Sequence, residues 1–390
     1  MGLIPKTLGT RPRLAVEIRP EGVVAARAED AAALVSAVAQ AAPEGGAAAP
    51  GLTGQAADAA RRETIAAVKK ALDAVTIKER QTTLVLPDAA VRVLLLEFEQ
   101  LPAKPAEALA VVRFRLKKLL PFDADDAVVS YQVMSSAKNL IKVLAVAVPK
   151  EVLADYEGMV REAGFEPGAV LPSTLAACAG LPEIDAAQLV VNAGETSVTT
   201  AIVQGGVLLL HRTVDLGNTD SGLAETVALP LVDVESTAGE WAAQQPLSGY
   251  GVLDDSHISD EAAFEAQRLA DEILAEVEGR VPREAMLPPV PETYAELERQ
   301  RGAAVAREMT QALSVAAAYF EDTLQRMPGV VLAAGTVGAS ELGELLRDAG
   351  FNEGEMRVLE MVEPAMLTGG ATTTRVPRGW MAGVRGALRS

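Results

Sequence analysis

One arrangement of short strands, a helix and glycine turns runs through this chain twice, and few folds accommodate such a repeat. Residues 13–18 (RLAVEI) and 22–27 (GVVAAR) are short apolar strands around a Pro20-Glu21-Gly22 turn, the pattern of a β-hairpin. Residues 31–60 are Ala-rich and broken by Pro43, Gly45, Gly46, Pro50 and Gly51, so a short strand or helix and then a loop are expected. The spacing of Ile65, Val68, Ala71 and Leu72 predicts a helix over 61–74, and a strand follows at 82–86. After Cys178 the arrangement restarts. Strands are predicted over 189–191, 198–203 and 207–215, separated by Gly194 and by Gly205-Gly206. A helix over 294–327, a strand over 330–333 and a helix over 340–349, entered past Gly335 and Gly338, complete the second run. Two equivalent halves, each opening on a hairpin with a short polar motif at its tip, predict a duplicated α/β fold with a cleft between two lobes.

The first half carries extra material. A strand over 91–98 is followed by a helix over 105–120 that starts on Pro105 and bears Arg113, Arg115, Lys117 and Lys118. Strands over 128–134 and 140–148 come next, then a helix over 150–163 ended by Gly164. The boundaries expected are 1–86 for the start of the first lobe, 87–165 for an inserted subdomain and 166–185 for the return to that lobe. The second lobe is expected over 186–370, with an expanded 218–300 region, and a C-terminal stretch over 371–390, with its helix at 380–388, returns to the first lobe. Within the expanded region, 233–257 and the proline-rich 281–291 read as loops or linkers around an amphipathic helix at 261–277.

Charge and composition exclude several functions. There are 35 Lys and Arg against 53 Asp and Glu, a net charge of −18, and such a surface repels nucleic-acid backbones and anionic lipid. Cys178 is the single cysteine, which rules out an internal disulfide and suits a reducing compartment. It sits within LAACAGL and reads as a small buried hydrophobe. His211, in an apolar strand, reads as a satisfied interior or edge histidine, and His257 as solvent-facing; together with one cysteine they leave little material for a metal site. The longest uncharged apolar stretch, 196–211, falls short of the roughly 18–20 residues of a membrane span, and the opening MGLIPKTLGTRPR lacks a signal-peptide core. A cytoplasmic protein is expected. There is no G-x-x-x-x-G-K-[ST] loop, no H-E-x-x-H and no G-x-S-x-G, and no catalytic residue is nominated.

Three strand-end motifs fall where a two-lobed nucleotide cleft would need them: VEIRPEGVVA at 16–25, VNAGETSVTT at 191–200 and VVLAAGTVGAS at 330–340. In such a cleft a glycine in each hairpin lets backbone N–H groups approach phosphate, and an aspartate at each tip holds the metal. A later glycine pair makes room for adenosine. The candidate residues are therefore Glu17, Arg19, Gly22, Asn192, Gly194, Gly335 and Gly338. Four of the positions depart from the required chemistry. Glu17 is a methylene too long, Arg19 replaces a glycine with bulk, Asn192 lacks the second carboxylate, and Ala334 replaces one adenosine-side glycine. Together these changes argue against efficient hydrolysis, because positioning and metal electrostatics supply nearly all phosphoryl-transfer catalysis. A rival phosphate loop, Asp215-Leu216-Gly217-Asn218-Thr219, offers Asp215, Gly217 and Thr219, although its flanks read more easily as a strand-end turn.

These motifs, in this order, resemble the PilM family of type IV pilus assembly proteins. VEIRPEGVVA is similar to the family's opening I-D-I-G-S-S-S-V-K-A, and LKKLLPFDADDAVVSYQVM (116–134) to its "yiPf…e…l-d-y-q" segment. LAVAVPKEVLADYEGMVREAGF (144–165) resembles the family's "A-p-k-…-y-…-aGl" strand and helix, and GVRGALRS (383–390) its closing "a-i-G-L-A-L-R". The match covers most of the chain and is poorest over 218–300.

The resemblance implies an actin-like fold related to the cell-division protein FtsA. It also implies a place on the cytoplasmic face of the inner membrane, docking the N-terminal tail of a PilN-like membrane protein beside other pilus assembly components. Mg-ATP is the ligand it implies, and the four departures count against that ligand here. The implied partner groove lies between the first lobe and its insert, about residues 87–165, with Arg113, Arg115 and Lys117 as candidate wall residues; a merely solvated basic face is the competing reading. A working ATPase or small-molecule kinase using Asp215 and Glu17 stays open beside this adaptor, as does the cytoplasmic domain of a type II secretion protein.

Overall fold

The structure is a computed structural model that describes residues 11–30, 32–43, 55–216, 294–325, 329–348 and 357–389. The expected helix at 261–277, the loops at 233–257 and 281–291, His257, Gly217 and Thr219 lie outside the described residues. The chain divides into two units, Met1–Ala228 with Ala303–Ser390, and Leu229–Gly302. Apart from the opening turns of one helix, the described elements belong to the first.

Strands β1 (Leu14–Arg19) and β2 (Gly22–Ala28) form the expected hairpin, and β3 (Val35–Ala41), drawn from the Ala-rich stretch, extends it. Helix α1 (Gln55–Val75) leads to β4 (Gln81–Leu86). An inserted antiparallel sheet follows, with β5 (Arg92–Phe98), α2 (Pro105–Leu116), β6 (Ala127–Ala137) and β7 (Leu140–Pro149). Helix α3 (Lys150–Glu162), β8 (Glu166–Pro172) and α4 (Ser173–Ala179) bring the chain back to the first sheet. The second lobe holds β9 (Gln188–Ala193), β10 (Ser197–Gln204), β11 (Val207–Asp215), α5 (Tyr294–Leu324), β12 (Val330–Gly335), α6 (Ala339–Asp348) and β13 (Arg357–Glu360). Helix α7 (Ala382–Leu388) follows.

The two large sheets have one topology. Their strand orders are β3-β2-β1-β4-β8 and β11-β10-β9-β12-β13. In each, three strands pair antiparallel and the next two join in parallel. This equivalence is the duplication that the repeated hairpins foretell.

Every residue of β1 is buried, as expected of a central strand covered on both faces. Leu14, Val16 and Ile18 pack with Val68 and Leu72 of α1 and with Met159 and Val160 of α3. The strand's two-residue period sends Ala15, Glu17 and Arg19 to the opposite face. In the second lobe Leu189, Val191 and Ala193 pack with Met309, Leu313 and Phe320 of α5, which leaves Val190 and Asn192 on the other face. A single apolar cluster joins the lobes, containing Ala15, Val24, Val190, Ala201, Trp380 and Val384 among its members. Leu144 and Met134 of the insert belong to that same cluster.

Three elements escape the sequence patterns. β8 contains Pro167 and Gly168, tolerated because it ends the first sheet. α4 is buried nearly all round and shows no amphipathic period, and β13 is only four residues long. Helix α2 stops at Leu116 instead of 120, and α1 starts at Gln55 instead of 61. The final helix opens as a tight turn over Gly379–Met381 before α7.

Candidate functional site

Glu17 and Arg19 project from β1 towards the second lobe, where Asn192 near the end of β9 meets them. Arg19 Nε donates to Glu17 Oε1 at 2.5 Å, and Arg19 Nη2 donates to Ser173 Oγ and to Asn192 Oδ1, both at 2.8 Å. The Ser173 hydroxyl donates to Glu17 Oε1 at 2.6 Å. The Asn192 amide donates to Ser173 Oγ at 2.8 Å and to Thr174 Oγ1 at 2.9 Å. Asp88, in the turn after β4, accepts from the Thr174 backbone N–H at 3.1 Å and from its hydroxyl. Relative exposure is 0% for Glu17, 7% for Arg19 and 4% for both Asn192 and Asp88, so the whole network is withdrawn from water.

The candidates Glu17, Arg19 and Asn192 thus converge, but in contact with one another. Ser173, Thr174 and Asp88 complete the cluster and escape sequence reasoning. Their signal was faint: a Pro87-Asp88 pair between strands and a Pro-Ser-Thr step into a short apolar helix. Burial pushes the Glu17 carboxyl above the usual carboxylate range, with nearby Asp88 acting in the same direction, while Arg19 and Ser173 oppose the shift. Its second oxygen, Oε2, has no hydrogen-bond partner and lies against Gly383, where an added Cβ would come within 2.5 Å of it.

The glycine turns are occupied too. Glu21, at the first hairpin's tip, accepts from the Glu195 backbone N–H at 2.7 Å, and a Cβ on Gly194 would stand 2.4 Å from Glu21 Oε1. At the start of α6 the Ala339 N–H donates to Glu360 Oε1 at 3.0 Å, beside Gly338. Gly335 takes a φ of 87°, and a Cβ there would meet Ala193 O at 2.2 Å, so the strand ends of β9 and β12 touch backbone to backbone. Gly22, at φ 145°, faces Ala41 O and Trp380. The cavity left between Arg19, Glu21, Asp88, Asn192 and Ser197 measures about 10 Å³. Ligand pockets of drug size run to roughly 300–1,000 Å³. A nucleotide with its metal does not fit these residues as they stand.

Other candidates lie elsewhere. Asp215 ends β11 opposite Ser197, exposed and outside the network. Arg113 and Lys117 brace the insert from within: Arg113 donates to the carbonyls of Ala124 and Ala127, and Lys117 pairs with Asp125 at 2.6 Å. Arg115 is exposed. His211 is interior, as expected, but it is not satisfied, because its Nε2 lacks a hydrogen-bond partner. Burial lowers its pKa, against an opposing pull from Asp88. Cys178 is buried, and desolvation raises its thiol pKa out of the reactive range. Among the described residues no cluster of metal-ligating side chains forms and no helix is long and apolar enough to cross a membrane.

No protein-family model matches the chain, and no curated protein matches it. Solved structures do. A chain of a PilM-PilN type IV pilus biogenesis complex aligns with a TM-score of 0.61 at 18% identity, over 97% of this chain and 99% of that one. The cytoplasmic domain of EpsL, an inner membrane component of the Vibrio cholerae type II secretion system, aligns at TM-score 0.35 and 15% identity, over 52% of this chain and 71% of that one. The ethanolamine utilization protein EutJ from Carboxydothermus hydrogenoformans aligns at TM-score 0.40 and 12% identity, over 97% and 89%. At these identities the likeness is one of fold, and the first match carries it. The chain has the PilM-like, duplicated actin-like α/β fold.

Proposed function

We propose that this chain is an actin-like adaptor of a type IV pilus assembly machinery, docking the N-terminal cytoplasmic tail of a PilN-like inner-membrane protein. The observation that carries the reading is the extent of the likeness: the PilM-PilN chain is matched over 97% of this one. Attachment to the membrane would then run through the partner, which suits a surface of net charge −18 that anionic lipid repels.

The groove proposed for the tail lies between the first lobe and the insert. β6 is one end of the insert's sheet and β8 one end of the first lobe's. A peptide docking on such an edge binds extended, its backbone satisfied by the strand and its apolar side chains in pockets. Arg115, exposed on α2, is the basic candidate on the insert left for partner contact, since Arg113 and Lys117 are committed to the subdomain itself.

Fluorescence anisotropy with a labelled PilN-type tail peptide and the full chain tests the reading. Saturable binding with a Kd at or below about 50 µM is expected. A peptide that stays free at that concentration sinks the proposal.

A further inference from the structure

The geometry points to Arg19 as a built-in cationic pin: its guanidinium lies between Glu17 and Asn192, the two positions where a nucleotide cleft would need metal-holding carboxylates, and with Glu21 it keeps the two lobes closed without nucleotide. Donors and acceptors around Arg19 are closely matched. Ser173 Oγ has one proton and two lone pairs, and all are used: it donates to Glu17 and accepts from Arg19 and Asn192. Asn192 gives its oxygen to Arg19 and its amide protons to Ser173 and Thr174. No hydrogen-bonding capacity remains on Ser173 for a ligand, and Asn192 has no donor left and a single lone pair on Oδ1.

The departures from the nucleotide pattern are also a matched set. An aspartate at 192 could not donate to Ser173 and Thr174, and it would set another carboxylate near Asp88, to which the Asn192 amide lies at 3.4 Å. An aspartate at 17, a methylene shorter, would withdraw the oxygen that meets both Arg19 Nε and Ser173 Oγ. Gly383 leaves room for the longer glutamate. A glycine at 19 would leave Glu17 buried without its cation. Each residue makes sense only with the others present.

The anion positions show the same substitution. Backbone N–H groups at glycine turns are the sites that phosphate would seek. Here the Glu195 N–H is taken by Glu21 and the Ala339 N–H by Glu360. Glu21 reaches across from the first lobe's hairpin to the second lobe's, so it fastens the lobes at the mouth of the cleft while Arg19 fastens them at its floor. The pin does not depend on which partner tail the chain binds.

Two measurements on the full chain test it. In the first, thermal unfolding and calorimetric titration are run with Mg-ATP and Mg-ADP at about 5 mM. No change in Tm and no saturable heat are expected; a rise in Tm of more than about 2 °C, or saturable heat, overturns the pin. In the second, spin labels at Lys70→Cys and Glu344→Cys, one on each lobe, report the interlobe distance by electron double resonance, with buried Cys178 left unlabelled. One narrow distribution, unmoved by Mg-ATP, is expected. Arg19→Gln should broaden it and lower Tm by roughly 5–10 °C, since it strands a buried carboxylate. If Arg19→Gln does not fold, Glu21→Ala and Asn192→Asp carry the test, because each removes cross-lobe contacts and leaves Arg19 in place. Distributions as narrow as the wild type's in every variant that folds would overturn the proposal.

Discussion

His211 shows what burial does to a titratable group in this chain. Its imidazole is 7% exposed on β11, its Nε2 has no partner, and desolvation lowers its pKa from 6.5. The folded protein therefore holds it neutral, whereas the unfolded chain takes up a proton as pH falls below 6.5. The stability contributed is present above that pH and is lost as pH drops towards the lowered value. His211→Asn removes the titration. We expect wild type to lose stability relative to this variant by up to roughly 1.4 kcal/mol per pH unit below 6.5. Urea unfolding of both proteins between pH 7.5 and about 5 checks it, and a constant difference across that range would falsify the assignment. The apolar flanks revealed that the residue is interior. They could not reveal its unpartnered nitrogen, which depends on elements far away in the chain.

Among the elements, α4 and α7 approach each other closely. A Cβ on Gly386 would stand 1.8 Å from the Ala176 carbonyl oxygen, so the helices meet backbone to backbone. Arg385 donates to Gly180 O at 3.3 Å and Arg389 to Leu181 O at 2.8 Å, tying the end of α7 to the end of α4. The glycines of GVRGALRS follow from two close approaches, Gly386 to Ala176 and Gly383 to Glu17. Gly386→Ala should destabilise the chain by about 3 kcal/mol, because backbone has to move to admit one methyl group. Gly329→Ala, where no atom lies within 4 Å of the added Cβ, should stay within about 0.5 kcal/mol of wild type. Chemical denaturation of the two variants side by side checks this, and equal losses would show that the crossing is looser than described. The close approach belongs to the packing of two helices, whereas the sequence motif showed only that small residues recur.

At the scale of the whole molecule, a shared core and a polar pin do the same work. The cluster holding Ala15, Val24, Val190, Ala201, Trp380 and Val384 draws on both lobes, and Leu144 and Met134 attach the insert to it. Opening the cleft would expose this apolar surface as well as break the Arg19 contacts. The lobes should therefore unfold together. Native-state hydrogen exchange is expected to give the slowest amides of β1 and β9 the same opening free energy, within about 1 kcal/mol. Exchange of β9 through a markedly cheaper opening, with β1 still protected, would show that the lobes separate on their own.

Apolar runs, hairpin glycines and the order of elements were enough to announce two like lobes, an insert and a cleft, because each signal is carried by neighbours in the chain. β8, α4 and β13 gave no such signal. One is an edge strand containing proline, one a helix buried nearly all round, and one too short to show a period. Residue spacing also singled out Glu17, Arg19 and Asn192 as unusual for a nucleotide cleft. It could describe them only as losses, since the amide at 192 has meaning only beside Ser173 and Thr174, and Arg19 only beside Glu17 and Asn192. The fold brings these residues together from β1, α4, β9 and the turn after β4. Hydrogen bonds to charged and buried groups are set by three-dimensional distance, so the second lobe had to close on the first before those residues could act as one pin.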